Sequence, residues 1–207
     1  MFMKKQVTLY SLNASEYPNI EIEVEIIENT AESLDLISSG GAFMAIKKAV
    51  VQARPAKAGE VVDTRPRVVY QGRVYSFSET TRTITPEEEA NGAMVVINPD
   101  GEEYVIANSS KFESKYLKTS DGYVAIDGVK PFVRSNGNYA IQTSWGEEQI
   151  VLAGSCFCVQ NLDDIYGITN AAFEGTYTTQ PSEILQTVGK IAELKTARDS
   201  GTSVEPV

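Results

Sequence analysis

Apolar and polar residues alternate most cleanly over Asn19–Ile27 (NIEIEVEII), where Ile20, Ile22, Val24 and Ile26 are separated by glutamates. That period of two predicts a strand with one buried and one wet face, and Gln6–Leu12 (QVTLYSL) reads the same way. The period changes at Asn29. In NTAESLDLISSGG, Asn29 is placed to cap a helix, Glu32 stands three residues on and Gly40 offers a left-handed stop, so a helix of about two turns is expected. From Ala42 the pattern is almost wholly that of strands: AFMAIKKAVVQARP, then RPRVVYQGRVYSFSE with Gln71-Gly72 at the centre of a hairpin. Thr85, Pro86, Glu88 and Gly92 mark a short helical turn, which explains Glu87-Glu88-Glu89 by the helix dipole rather than by metal binding. Near the end, Ile184, Leu185, Val188, Ile191 and Ala192 form one helical stripe, with Ser182 as its cap and Gly201 beyond it. Such a stripe covers the chain's own sheet or a partner. The closing SGTSVEPV has the composition of a disordered tail.

Within the strand-rich part the chain repeats itself. NGAMVVINPDGEEYVI (Asn91–Ile106) and NGNYAIQTSWGEEQIV (Asn136–Val151) align without a gap at a shift of 45 positions, with Asn-Gly, Gly-Glu-Glu and the apolar residues in matching places. Each copy reads as a hairpin whose turn uses the positive φ of Gly101 or Gly146. Two like hairpins can pack about a local two-fold axis or join as one sheet. The predicted class is therefore mainly β (α+β): antiparallel sheets from two repeated hairpin units, a short amino-terminal helix and a carboxy-terminal amphipathic helix. The expected segments are 1–44 (a β-α lead), 45–120 and 121–180 (the two β units) and 181–207 (helix and tail).

The 207 residues are enough to bury a core without disulfides or metal staples. The formal charge of -10 speaks against binding duplex nucleic acid, whose phosphates demand a positive face. Charge is uneven, however: residues 45–82 carry eight basic side chains (Lys47, Lys48, Arg54, Lys57, Arg65, Arg67, Arg73, Arg82) against Glu60, Asp63 and Glu79, an excess of five. An acidic chain with one basic belt can attract its own copies or a small anion; Arg on the wet face of a strand pair is the plainer account. No apolar run approaches the roughly 18 residues of a membrane helix, and Met1–Lys5 lacks the apolar core of a leader, so no membrane partner is expected.

Four short motifs then line up with a known family. KPFV (Lys130–Val133), GNY (Gly137–Tyr139), GEE (Gly146–Glu148) and FEGTY (Phe173–Tyr177) resemble, in order, the small phage and prophage proteins of the PGDYG family. A looser set precedes them: KAVVQA (Lys48–Ala53), NGAM (Asn91–Met94), GEEY (Gly101–Tyr104) and FESKY (Phe112–Tyr116). The chain thus looks like a tandem of such units over residues 45–180, with the family's Pro-Gly-Asp-Tyr core present only as Asn-Gly-Asn-Tyr and a hairpin interrupting the first unit. The resemblance implies a phage origin and brings no chemistry with it.

The residues themselves offer little chemistry. With no histidine, the Ser-His-Asp and Cys-His arrangements and most zinc sites are excluded. Glu102-Glu103, Glu147-Glu148 and Asp163-Asp164 are adjacent pairs that a strand would point to opposite faces, and Asn98, Asp100 and Glu102 lack the full spacing of a calcium loop. A carboxylate-based hydrolase would need two acids from different strands. Cys156 and Cys158 fit no redox or zinc spacing and read as buried thiols on one strand face, with Phe157 on the other. No catalytic residue, metal or cofactor is therefore assigned. Arg65, Arg67, Tyr70, Arg73, Tyr75 and Arg82 are the candidate contacts for a small anionic ligand or a partner, arginines holding phosphate while tyrosines stack a base; cross-strand pairing explains the same residues without a ligand. Trp145, Ile184, Val188 and Ile191 are candidate interface residues. Expected is a non-enzymatic phage protein acting by assembly with itself or other phage proteins, a virion component of decoration type. The alternative is a protein made in the infected cytoplasm that sequesters a nucleotide-like signal or blocks a host defence protein.

Overall fold

The alternating stretch at Asn19–Ile27 becomes half of an antiparallel ribbon: β1 (Met3–Ser11) pairs with β2 (Ile20–Ile27), Leu9 against Ile20 and Met3 against Ile26. Ile22 and Val24 turn inward while Glu21 and Glu23 stay exposed, as the period demands. The computed structural model describes residues 2–144 and 146–200, so Trp145 and the tail from Gly201 lie outside the described residues. Helix α1 (Thr30–Ile37) opens as expected, the Asn29 side chain accepting from the Glu32 N–H at 3.2 Å. Its end is a correction. The chain passes directly into β3 (Ser38–Lys47) with Ser38 extended, and Gly40 at φ +74° lies inside that strand. No left-handed cap is needed because Asn136 satisfies the last carbonyls from afar. Its Nδ2 donates to Leu36 O at 2.8 Å and Ser38 O at 3.0 Å, and its main-chain N–H to Ile37 O at 3.0 Å.

Short strands and turns follow: β4 (Val50–Pro55), β5 (Val61–Val62), β6 (Val68–Tyr70), β7 (Arg73–Ser76), β8 (Arg82–Thr83) and helix α2 (Pro86–Ala90). Next come β9 (Met94–Ile97), β10 (Glu103–Ile106), α3 (Ser109–Glu113), β11 (Tyr116–Thr119), β12 (Gly122–Ala125), β13 (Lys130–Ser135), β14 (Tyr139–Gln142) and β15 (Glu148–Val151). The described chain ends with β16 (Cys156–Asn161), β17 (Asp164–Ile168), α4 (Asn170–Thr176), β18 (Tyr177–Thr178) and the long α5 (Pro181–Ser200). The fold is mainly β, with several antiparallel sheets and the terminal helix in its predicted place.

Helix α2 carries the complete predicted capping box. Thr85 Oγ1 accepts from the Glu88 N–H at 3.2 Å and Glu88 Oε2 from the Thr85 N–H at 2.9 Å, which, with the Arg82 guanidinium, holds the Glu88 carboxyl below the usual carboxylate range. Thr85→Ala is expected to cost about 1 kcal/mol in urea denaturation, with Thr85→Ser close to wild type.

Compactness divides the chain differently from the contiguous segments 45–120 and 121–180. One unit gathers residues up to Met44, Pro66–Glu79 and Lys130–Glu174; the other gathers Ala45–Arg65, Thr80–Val129 and Gly175 onward. In the first, a sheet ordered β15-β14-β2-β1-β7-β6 is accompanied by β17-β16-β13-β3. The β6–β7 hairpin belongs here because β1 offers its far end as a template: Tyr10 pairs with Ser76 and Ser11 with Tyr75. Leu9, Ile22, Val24, Val68 and Tyr75 form one core cluster, and Ile27, Ile37, Ile141 and Phe157 anchor another. In the second unit the sheet runs β10-β9-β4-β12-β11, with Val51, Val96, Phe112 and Tyr116 in its core.

The repeat is a repeat of register. Met94 pairs with Ile106 and Val96 with Tyr104 in one hairpin; Tyr139 pairs with Val151 and Ile141 with Gln149 in the other. The turns copy each other too. Asn98 N–H donates to Glu102 O and Gly101 N–H to Asn98 O; 45 positions on, Thr143 N–H donates to Glu147 O and Gly146 N–H to Thr143 O. Gly101 and Gly146 stand at φ +79° and +86°. The hairpins do not join as one sheet. Each lies in its own unit, β9 completed by antiparallel β4 and β14 by parallel β2.

Candidate functional site

The arginine and tyrosine candidates are built on the β6–β7 hairpin, which reverses through Gln71 (φ +50°) and Gly72 (φ +76°) with Tyr70 opposite Arg73. Tyr75 is 2% exposed and meets Tyr17 edge-on at 5.2 Å, while Tyr70 packs half-buried on the same cluster. The Tyr17 hydroxyl donates to Val74 O at 2.7 Å, and the Arg73 guanidinium lies 5.4 Å over its ring. Tyr75 therefore presents no open face to a base. Arg65 forks onto Asp63 with two bonds of 2.7 Å, and Arg82 pairs with Glu88. Arg67, Tyr70, Arg73 and Tyr75 belong to the first unit, Arg65 and Arg82 to the second. Three arginines of the positive belt, Arg54, Arg65 and Arg82, are thus paired with carboxylates two to six residues away, and the belt can do less for an anion than its composition promises.

The terminal helix is more informative. Its amino terminus is Pro181, and the Ile184 N–H donates to Gln180 O at 2.9 Å, so Ser182 sits inside the first turn rather than capping it; proline suits that first position because its missing N–H has no intrahelical acceptor. A 2.7 Å ion pair between Lys48 and Glu183 ties this turn to the second unit, and the Lys48 ammonium, then Thr178, lowers the Glu183 carboxyl. Ile191 and Leu194 are buried against Ile46, Leu117 and Val124, with Ile184 half-buried beside them. The predicted single stripe splits in two. Ile184, Thr187, Ile191 and Leu194 form the docked seam, whereas Leu185, Val188 and Ala192, at the same i, i+3, i+7 spacing, face outward, Leu185 73% and Val188 42% exposed. Of the candidate interface residues, Ile191 is thus spent on the chain's own core and Val188 remains available; Trp145 lies outside the described residues.

The Asn-Gly-Asn-Tyr motif acts as a staple. Asn136 closes α1, Tyr139 donates its hydroxyl to Asn136 Oδ1, and Asn138 Oδ1 accepts from the Ala153 N–H at 3.0 Å. A Cβ on Gly137 would stand 2.7 Å from the Tyr139 hydroxyl, so only glycine lets the ring lie over the loop. A polar cleft of about 300 Å³ opens beside it, lined by Lys4, Glu23, Glu25 and Asn136–Tyr139. Lys4 is already held by Glu23 at 2.6 Å.

One cluster escaped sequence reading. Lys47 Nζ lies 3.3 Å from Asn98 Oδ1 and 3.5 Å from the Tyr116 hydroxyl, with the rings of Tyr104 and Tyr116 5.7 and 5.9 Å away. The two phenols hydrogen-bond each other, and burial raises both, Tyr104 well above the ordinary tyrosine range with the help of Tyr116. The available signal was the Lys47-Lys48 pair in an apolar strand run, where alternation must send one lysine inward. Here the ammonium anchors the turn of the first repeat through Asn98. Cys156 and Cys158 are fully buried thiols on β16, as expected, and burial pushes the Cys156 thiol up to about 11, so Cys156 is not a thiolate nucleophile at neutral pH. Phe157 between them is fully buried too, so β16 is covered on both faces.

Among the described residues no three Cys, Asp or Glu side chains are grouped as a metal site requires, and no helix is long and apolar enough to cross a membrane. Comparison with protein families, with curated proteins and with solved structures finds no match for this chain.

Proposed function

We propose that the chain is a non-enzymatic bacteriophage protein that works by assembly, as an accessory or decoration-type component of the virion, and that the outer stripe of α5 is its contact surface. The observation that carries the reading is the exposure of Leu185 and Val188 on a helix whose other seam already holds it in place. A helix anchored on one side presents a second apolar stripe without an ordering cost, and such stripes fit grooves or like helices on a partner. The order of the PGDYG-like motifs supports the phage origin. Mass spectrometry of purified virions is expected to find the protein, and its absence there would sink the virion assignment. Leu185→Glu with Val188→Glu is expected to abolish incorporation, or self-association read by light scattering, while stability stays within about 0.5 kcal/mol of wild type because both side chains are exposed. Assembly that survives the double substitution removes the stripe as the contact.

A further inference from the structure

The two repeats share an Asn-Gly step, Asn91-Gly92 and Asn136-Gly137, and Asn-Gly is chemically labile because glycine has no side chain to obstruct attack by its own amide. In that reaction the glycine nitrogen bonds to the asparagine Cγ, the Cγ–Nδ2 bond breaks, and ammonia leaves. Water then opens the cyclic imide to aspartate or isoaspartate. We propose that Asn91 is the site at which the folded chain deamidates, and that its counterpart Asn136 is protected by the contacts it makes.

The carboxamide of Asn136 is fixed at three points. It donates to Leu36 O and Ser38 O and accepts from the Tyr139 hydroxyl, so its Cγ cannot swing toward the Gly137 nitrogen without breaking all three bonds. The carboxamide of Asn91 is exposed and makes no hydrogen bond among the described residues. What restrains Asn91 is on the nucleophile's side: the Gly92 N–H donates to Glu89 O at 3.0 Å, a bond at the end of a five-residue helix with no buried residue. Helix ends of that kind open at little cost. The Ser109 N–H also holds Asn91 O at 3.2 Å, so three bonds stand against two, and at a factor of about five per bond Asn91 is expected to convert roughly fivefold faster than Asn136. The product places a new carboxylate at the carboxy-terminal end of α2, beside Glu87 and Glu89 and at the negative pole of the helix, where it is unfavourable. Isoaspartate also lengthens the main chain there and disturbs the bond from Ser109 N–H to Asn91 O.

The full chain incubated at mildly alkaline pH and digested for peptide mapping separates the two sites, with isoaspartate read by methyltransferase labelling. The expected result is modification at Asn91 while Asn136 stays intact, with the two rates drawing level when the incubation is repeated in urea. Tyr139→Phe is expected to raise the rate at Asn136 about fivefold and leave Asn91 unchanged, since it deletes one of the three restraints. Conversion of Asn136 as fast as Asn91 in the folded chain overturns the proposal. So does a preference for Asn91 that persists in urea, because the difference would then belong to the local sequence and not to the fold.

Discussion

Replacing Asn136 by alanine is expected to lower the stability of the protein by about 2 to 4 kcal/mol, seen as an earlier urea midpoint with an unchanged slope. The substitution removes two donors that close the carbonyls of α1 and the acceptor of the Tyr139 hydroxyl, whose residue is only 7% exposed. Each carbonyl can recover water, since Asn136 itself lies at the surface. The hydroxyl borders the polar cleft and can recover water as well, so the loss is that of three net hydrogen bonds at about 0.5 to 1.5 kcal/mol each. Asn136→Ala in a Tyr139→Phe background is therefore expected to cost less than in the wild type, because one of the three bonds is already absent. Asn136→Asp keeps the acceptor but faces a carboxylate toward two carbonyl oxygens, and is expected to be at least as damaging as alanine. A loss under about 0.5 kcal/mol for Asn136→Ala would mean that the motif is not a staple.

That staple also marks how far the sequence could be read. The caps at Asn29 and Thr85 were legible because their partners lie three residues away, and the hairpin registers because alternation and a turn glycine fix them together. Gly40 was misleading: the carbonyls it seemed placed to cap are served by a residue about a hundred positions later, which no local pattern announces. On α5 the apolar residues span two adjoining seams, and which one docks depends on Thr187 and Leu194 facing the sheet, a choice made by packing rather than by hydrophobicity. Tyr75 lay within reach of pattern reading. Its cross-strand partner Val68 is buried with it, while Val69 and Val74 point outward, so the same alternation that suggested a stacking platform places the ring in the core. The division into units was not legible at all, because the β6–β7 hairpin is recruited by β1, more than fifty residues earlier in the chain.

Raising the pH past the ordinary tyrosine range is expected to unfold the protein cooperatively, with Tyr104 and Tyr116 as the trigger. Both phenols are held above their usual value of about 10 by burial, so in strongly alkaline solution the folded chain keeps protons that the unfolded chain has already lost. The native state then binds more protons than the unfolded one, and stability falls as pH rises. Their contribution is fully present below about pH 10 and is lost as the pH climbs from there through the folded values. While a phenol keeps a proton that the unfolded chain has lost, the loss is about 1.4 kcal/mol per pH unit for that phenol, and burial makes Tyr104 the principal contributor. Tyrosinate absorbance and circular dichroism recorded on the same sample test this. Tyr104 and Tyr116 are expected to ionise only together with the loss of ellipticity. General repulsion in an acidic chain would unfold it in alkali as well, but that effect is screened by salt, whereas the buried pair is not. Tyr104→Phe deletes the more strongly shifted group from the cluster and is expected to weaken the pH dependence clearly in high salt while leaving the fold intact at neutral pH. A smooth titration of all the tyrosines with unchanged ellipticity would show that the phenols beside Lys47 are open to water, and the cluster would lose its place in the core.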